Sequence, residues 1–295
     1  MLHQKQRLAA ERDGPRLLVM AGSSARYGIS CAIIEARVGL PCMNLGLQAG
    51  LKLRYELDYA RRVARPGDIL LLAFEYQAYS ETGGYDPTLV DYVMARDPRY
   101  LRTLSIPALV QFAISVDSKR LVEGLSARIA RPFAADEPDT VPWNRYGDEL
   151  YTDAPHQTDS MRVLVHNGVA AATLMNDDAP TRYAKSNLVE TADWCRRHSV
   201  ELWATFPATV HYAAYDSASA KTAVARIRAL YTALGAPVLE RPEDLWWSED
   251  HFFDTNYHPN DEARTVRSRA LAEGICAQLN STKTPVPRPR CPAAG

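Results

Sequence analysis

Nothing in this chain approaches the roughly 20 consecutive apolar residues that cross a bilayer as a helix, and neither sign of charge is in excess. Lys+Arg number 34 against 35 for Asp+Glu. The long-range attraction to phosphate that a general nucleic-acid binder needs is therefore missing, and no nucleic-acid partner is expected. The five cysteines, Cys31, Cys42, Cys195, Cys276 and Cys291, are scattered without a CxxC pair. Neither a zinc site nor a disulfide framework is indicated. Cys31, Cys42, Cys195 and Cys276 stand among apolar residues and read as small core side chains. Gly22 and Gly28 do not form GxGxxG, no P-loop lysine follows, and the G-x-S-x-G elbow is absent. A flavodoxin-like nucleotide or regulator domain thus has little support, and no cofactor is expected. The opening "MLHQKQRLAAERDG" has no h-region and carries no signal peptide as it stands. A chain cut just after a membrane anchor would begin with the same polar lead, so the compartment stays open.

What is present is an alternation. The chain is 46% hydrophobic, enough for a substantial core. Short apolar runs at 16–22, 41–46, 68–74, 200–206 and 236–240 are the strand candidates, and helical patterns separate most of them. This predicts an α/β fold whose mainly parallel sheet is covered by helices on both faces. "ISCAIIEARVG" and "LKLRYELDYARRVARPG" fill the first two connections, the second stopped by Pro66 and Gly67. The spacing predicts helices from Thr181 to His198, with Leu188, Ala192 and Cys195 inward, and from Thr222 to Gly235. The stretch 80–160 breaks the rhythm. It reads as a helical insertion, starting a helix at Ser105 and Pro107, plus a long surface loop able to cover a site. One domain over 1–280 and a disordered tail over 281–295 are expected.

Three stretches carry chemistry. "VMAGSSARYGIS" runs from a strand into a Ser-rich turn and a helix. Ligands of doubly wound sheets bind beyond the carboxyl ends of the strands, which is where Ser24 would sit. Ser24 there is either a nucleophile with backbone donors in place for its oxyanion, or, with Ser23, a helix cap. On the turn alone, capping is the better reading. "NLGLQAG" (44–50) places Ala49 and Gly50 beside that turn, where a backbone N–H would serve an oxyanion; Gly46 and Gly50 otherwise only allow a tight turn. "AFEYQAY" (73–79) brings Glu75 and Tyr76 to the same rim as binding residues or structural hydrogen-bond partners, since a carboxylate would oppose an oxyanion.

The third stretch, "WWSEDHFFDTNYHPNDEARTV", gathers Asp250, His251, Asp254, Asn256, Tyr257 and His258 just before a helix for which Asn260 is the N-cap candidate. Asp254 and His258 suit an oriented base. A metal site from His251, Asp254 and His258 ranks below that, because the run lacks H-E-x-x-H geometry. Trp246, Trp247, Phe252 and Phe253 read as core, with a sugar-binding Trp pair as the minority reading.

Taken in order, "VMAGSSARYGI", "NLGLQAG" and "FFDTNYHPN" resemble the first, second and last blocks of the SGNH/GDSL-like hydrolase superfamily. Gly22-Ser23-Ser24 stands where Gly-Asp-Ser is usual. The chain departs from the family in three places. "AFEY" replaces Gly-x-Asn-Asp, Asp254 and His258 are one residue further apart than D-x-x-H, and Ala49 stands at the second-block glycine. These departures are similar to a divergent branch, the periplasmic proteins that O-acetylate bacterial exopolysaccharides.

The resemblance implies a flavodoxin-like α/β/α sandwich, no metal, and a catalytic set of Ser24, Asp254 and His258. Ala49, Gly50, Glu75 and Tyr76 would then bind oxyanion or substrate. It further implies an acyl-serine intermediate, a carbohydrate or other acyl ester as substrate, polysaccharide-biosynthesis proteins as partners, and a periplasmic location, with the cytoplasm as alternative. A catalytically weak or inactive glycan-binding component of a secretion assembly is the competing expectation, motivated by the missing asparagine, the 15 tyrosines and the Trp pair.

Overall fold

Four apolar runs fold as expected into one parallel sheet. In the computed structural model, which describes residues 2–117, 119, 143–171, 178–281 and 291, β1 (Leu17–Met20), β2 (Cys42–Asn44), β3 (Ile69–Leu72) and β4 (Glu201–Ala204) pair in the order β2-β1-β3-β4. Leu17 is in register with Cys42 on one side and Ile69 on the other, and Ile69 pairs with Glu201. Every residue of these strands except Glu201 is buried, which is why the runs are continuously apolar rather than alternating.

The fifth run, 236–240, forms a single parallel bridge between Ala204 and Val238 instead of a strand. Ala204 N donates to Pro237 O, but Pro237 has no N–H to return, and the ladder ends after Leu239 N meets Ala204 O.

The chain runs from β1 out to β2 and then back across to β3 and β4, and right-handed crossovers put the helix of the first connection on one face and those of the next two on the other. α1 (Leu2–Ala10), α4 (Leu53–Val63) and α8 (Arg182–Arg197) pack as one layer; α3 (Cys31–Val38) and α10 (Asp261–Ser281) pack in the other. The result is an α/β/α arrangement with the switch point at the carboxyl ends of β1 and β3. α2 (Ser23–Gly28) stands directly after β1. α8 matches its expected span: Thr181 accepts from Ala184 N at 3.2 Å, and Leu188, Ala192 and Cys195 are buried. α3 ends where Gly39 adopts φ 73°, a left-handed conformation that costs other residues a Cβ clash. α7 (Asp159–Ala171), α9 (Ala218–Ala233) and a two-residue pairing of β5 (Thr209–Val210) with β6 (Trp246–Trp247) complete this unit. α9 starts four residues earlier than the spacing predicts because Ser217 caps it through Ala220 N.

Two compact units divide the chain, one comprising Leu2–Glu81 and Pro142–Gly295 and the other Thr82–Val141. The smaller holds α5 (Pro87–Arg96) and α6 (Ile106–Ile114), with Tyr85 packed edge-on against Phe112. α6 begins after Ser105 as read from sequence, but Ile106 and Ile114 are 80% and 81% exposed. The segment 142–160, expected within the insertion, belongs to the larger unit. Its buried Asp148 explains why: the carboxylate accepts from Cys31 N at 2.8 Å, Ala32 N at 3.0 Å and the Ser30 hydroxyl at 3.0 Å, capping α3.

The cysteine reading is corrected for four residues. Cys31 is disulfide-bonded to Cys42 and Cys276 to Cys291; only Cys195 is a free core thiol. The pairs are made when α3 lies along β2 and when residue 291 returns to α10, contacts that 11- and 15-residue spacings do not announce. Cys291 is buried, so this part of the tail is fixed; 282–290 and 292–295 lie outside the described residues.

Candidate functional site

The turn after β1 is shaped by close backbone approach. A Cβ on Gly22 would lie 2.7 Å from Ala49 N, 2.7 Å from Ala49 Cα and 2.7 Å from Glu75 Oε1, so only glycine fits. Gly22 is also the N-cap residue of α2, without a side-chain cap. The expectation that Ser23 or Ser24 caps the helix is therefore corrected: they are its first and second residues. The cap comes from 51 residues away. Glu75 Oε1 accepts from Ser24 N at 2.7 Å and Glu75 Oε2 from Gly22 N at 3.3 Å.

Ser24 and Glu75 are both buried. The Ser24 hydroxyl donates to Ala73 O at 3.0 Å. Tyr76 is buried too, accepting from Trp246 Nε1 at 3.2 Å, and its phenol is held protonated by burial. Ala49 and Gly50 are half-buried in a 3-10 turn, Ala49–Leu51. The second block is locked to the first by Asn44, which the sequence reading quoted but did not single out. Its Nδ2 donates to Ala25 O and Ile29 O, both at 2.8 Å, and its Oδ1 accepts from Gly46 N at 2.9 Å. Lys5, also missed, is fully buried and donates to Asn44 O, Gly46 O and Gly147 O.

The histidine loop is closed by its own backbone and braced by Gln157, whose Nε2 donates to Phe252 O at 2.9 Å and Phe253 O at 2.6 Å. Phe253 N donates to His258 O at 2.8 Å, and Phe252 bridges Pro259, closing a tight loop with Asp254 and His258 facing each other. Asp254 Oδ1 lies 2.6 Å from His258 Nδ1. The carboxylate fixes the imidazole proton on Nδ1 and leaves the Nε2 lone pair as a base. The His258 ring stacks on Tyr27 of α2, centroids 3.9 Å apart and planes 6° from parallel. Burial pushes the Tyr27 phenol up to about 12, so the stacking partner is neutral. Side-chain exposures of 12% for His258 and 23% for Asp254 leave this pair accessible. Asn260 caps α10 as expected, its Oδ1 accepting from Ala263 N at 3.0 Å.

The structure thus unites Asp254 with His258 and sets them on α2, while Ser24 makes no hydrogen bond to His258 among the described residues. His251 pairs with the Ser248 hydroxyl at 3.0 Å, apart from the Asp254–His258 pair, and no cluster of metal-ligand type occurs among the described residues. Phe252 and Phe253 are core, whereas Trp246, stacked against Tyr215 and His211, and Trp247 are only half-buried. Trp247, His251, Arg241 and the buried Arg267 line a cavity of about 580 Å³.

No family model and no curated protein matches the chain. Among solved structures, the X-ray crystal structure of protein YxiM of Bacillus subtilis is similar with a TM-score of 0.42 at 8% identity. The match covers 91% of this chain and 58% of that one, so the chain spans well under two thirds of that protein's length.

Proposed function

We propose that this protein is a serine-dependent acyl ester hydrolase or O-acetyltransferase of SGNH type, acting on carbohydrate through an acyl-serine intermediate. The observation that carries the reading is the Asp254–His258 pair, stacked on the helix that opens at Gly22-Ser23-Ser24. A serine hydroxyl of that turn attacks the ester carbonyl and passes its proton to His258 Nε2. The tetrahedral intermediate collapses, and the same proton leaves with the departing alcohol. Water or a sugar hydroxyl then attacks the acyl-serine, again losing its proton to His258, which returns it to the serine. Asp254 keeps the imidazole in the required tautomer and stabilises the imidazolium.

Two disulfides favour an oxidising compartment, in keeping with the periplasmic reading. The test is intact mass after incubation with a fluorophosphonate probe. One adduct on the folded protein, suppressed in His258→Ala, is expected; a folded protein that takes no adduct would sink the reading.

A second reading has its own support. The Glu75 carboxylate accepts the N–H groups of Gly22 and Ser24, donors that an oxyanion would otherwise use. A negative charge there opposes a developing oxyanion. On this reading the protein is a catalytically weak or inactive glycan-binding component, and the Trp247-lined cavity is a place for a sugar ring. Calorimetric titration with acetylated and deacetylated oligosaccharides separates the two: saturable binding without any acyl-enzyme favours the binder.

A further inference from the structure

We infer that the acylated residue is Ser23, one position before the serine that motif alignment selects; this rests on the acyl-serine reading above. Ser24 is enclosed. It has no solvent exposure, its hydroxyl is donated to Ala73 O, and its N–H is donated to Glu75. A reacting carbonyl must come within about 3–3.5 Å of the nucleophile, and no surface of Ser24 is open to one.

Ser23 differs on each count. It is only half-buried, and neither its hydroxyl nor its N–H is hydrogen-bonded among the described residues. Ser23 and Ser24, four and three residues before Tyr27, both lie one turn from it on α2, so exposure and hydrogen bonding separate the two serines. His258 lies flat on the Tyr27 ring, centroids 3.9 Å apart, with Nδ1 held by Asp254 and Nε2 unclaimed among the described residues.

The donors also sort in this way. Glu75 takes the N–H groups of Gly22 and Ser24, but those of Ser23 and Ala49 are not taken among the described residues. Ala49 N lies 2.7 Å from where a Gly22 Cβ would be, which places it beside the turn. Ser23 Oγ therefore bonds to the carbonyl carbon while its proton moves to His258 Nε2. The oxyanion takes the N–H groups of Ser23 and Ala49, and collapse expels the alcohol with that proton.

The experiment is fluorophosphonate labelling of the full chain, with the adduct located by tandem mass spectrometry on wild type. Ser23→Ala and Ser23→Cys are run beside it, with circular dichroism to check folding. The expected result is phosphonylated Ser23, and labelling slowed more than about 1,000-fold in Ser23→Ala. Ser23→Cys should be alkylated by iodoacetamide faster than the same variant carrying His258→Ala. An adduct on Ser24 overturns this assignment and leaves the acyl-serine reading standing. A folded wild type with no adduct overturns both.

Discussion

The two halves of the candidate site are built in opposite ways. The serine turn is held by distant groups: Glu75 caps it, Asn44 ties it to the second block, and Gly22 is pressed against Ala49. In the histidine loop the pair itself is local, Asp254 four residues from His258, while Gln157 Nε2 braces the loop from outside through Phe252 O and Phe253 O. The serine half is largely buried, while the histidine pair keeps part of its surface open.

The largest effect should come from the open half. His258→Ala is expected to slow fluorophosphonate labelling by at least about 10,000-fold, and Asp254→Asn by nearly as much, since the wrong tautomer removes the base. A rate unchanged in either variant would mean that the pair is structural.

Next comes the anchoring of the closed half. Replacing Cys31 and Cys42 together by serine should cost about 3 kcal/mol in urea unfolding, because the disulfide joins the start of α3 to the start of β2. A loss below about 1 kcal/mol would show that the Asp148 cap and the Asn44 bonds suffice.

Glu75→Gln probes the contrast from the other side. It keeps an acceptor for Ser24 N and removes the negative charge, so labelling should accelerate about 10- to 100-fold. A slower variant would make Glu75 a required support rather than a brake.

The smallest shift concerns Glu56. Burial first, then the charges of Glu75 and Glu81, hold its carboxyl well above the usual range, and Oε1 has no partner. The folded protein therefore keeps a proton that the unfolded chain has already released. Stability from this group is fullest below the ordinary carboxyl pKa and falls as pH rises toward the raised value. Glu56→Gln should raise Tm slightly at pH 8, and the gain should vanish in acid. A gain that persists at low pH would assign it to packing instead.

What could be read from the sequence follows the same division. β1 to β4, α8 with its Thr181 cap, and the Asp254–His258 pair depend on residues within one element or one loop, and period or adjacency reveals them. Glu75 as the cap of α2, Asp148 as the cap of α3 and Lys5 beneath Asn44 and Gly147 act across 51, 117 and 142 residues, and each resembles an ordinary charged residue in its own segment. A better signal was available for one of them: buried helix starts need acceptors, and the N-terminus of α2 had no local candidate besides its own serines. The cysteines failed for the same reason, since spacing carries no record of which elements lie side by side. Val238 was lost to a single proline.

The paired cysteines also give the protein a redox history. Material folded under oxidising conditions offers one thiol, Cys195, and offers it only after denaturation, because that side chain is buried with its pKa pushed up to about 12. Material folded in a reducing cytosol offers all five. Two preparations of identical sequence can thus differ in how firmly α3 is held against β2, and so in the turn that α3 follows. A thiol count taken with and without denaturant tells which of the two is in the tube, and it belongs before any assay that finds the protein inert.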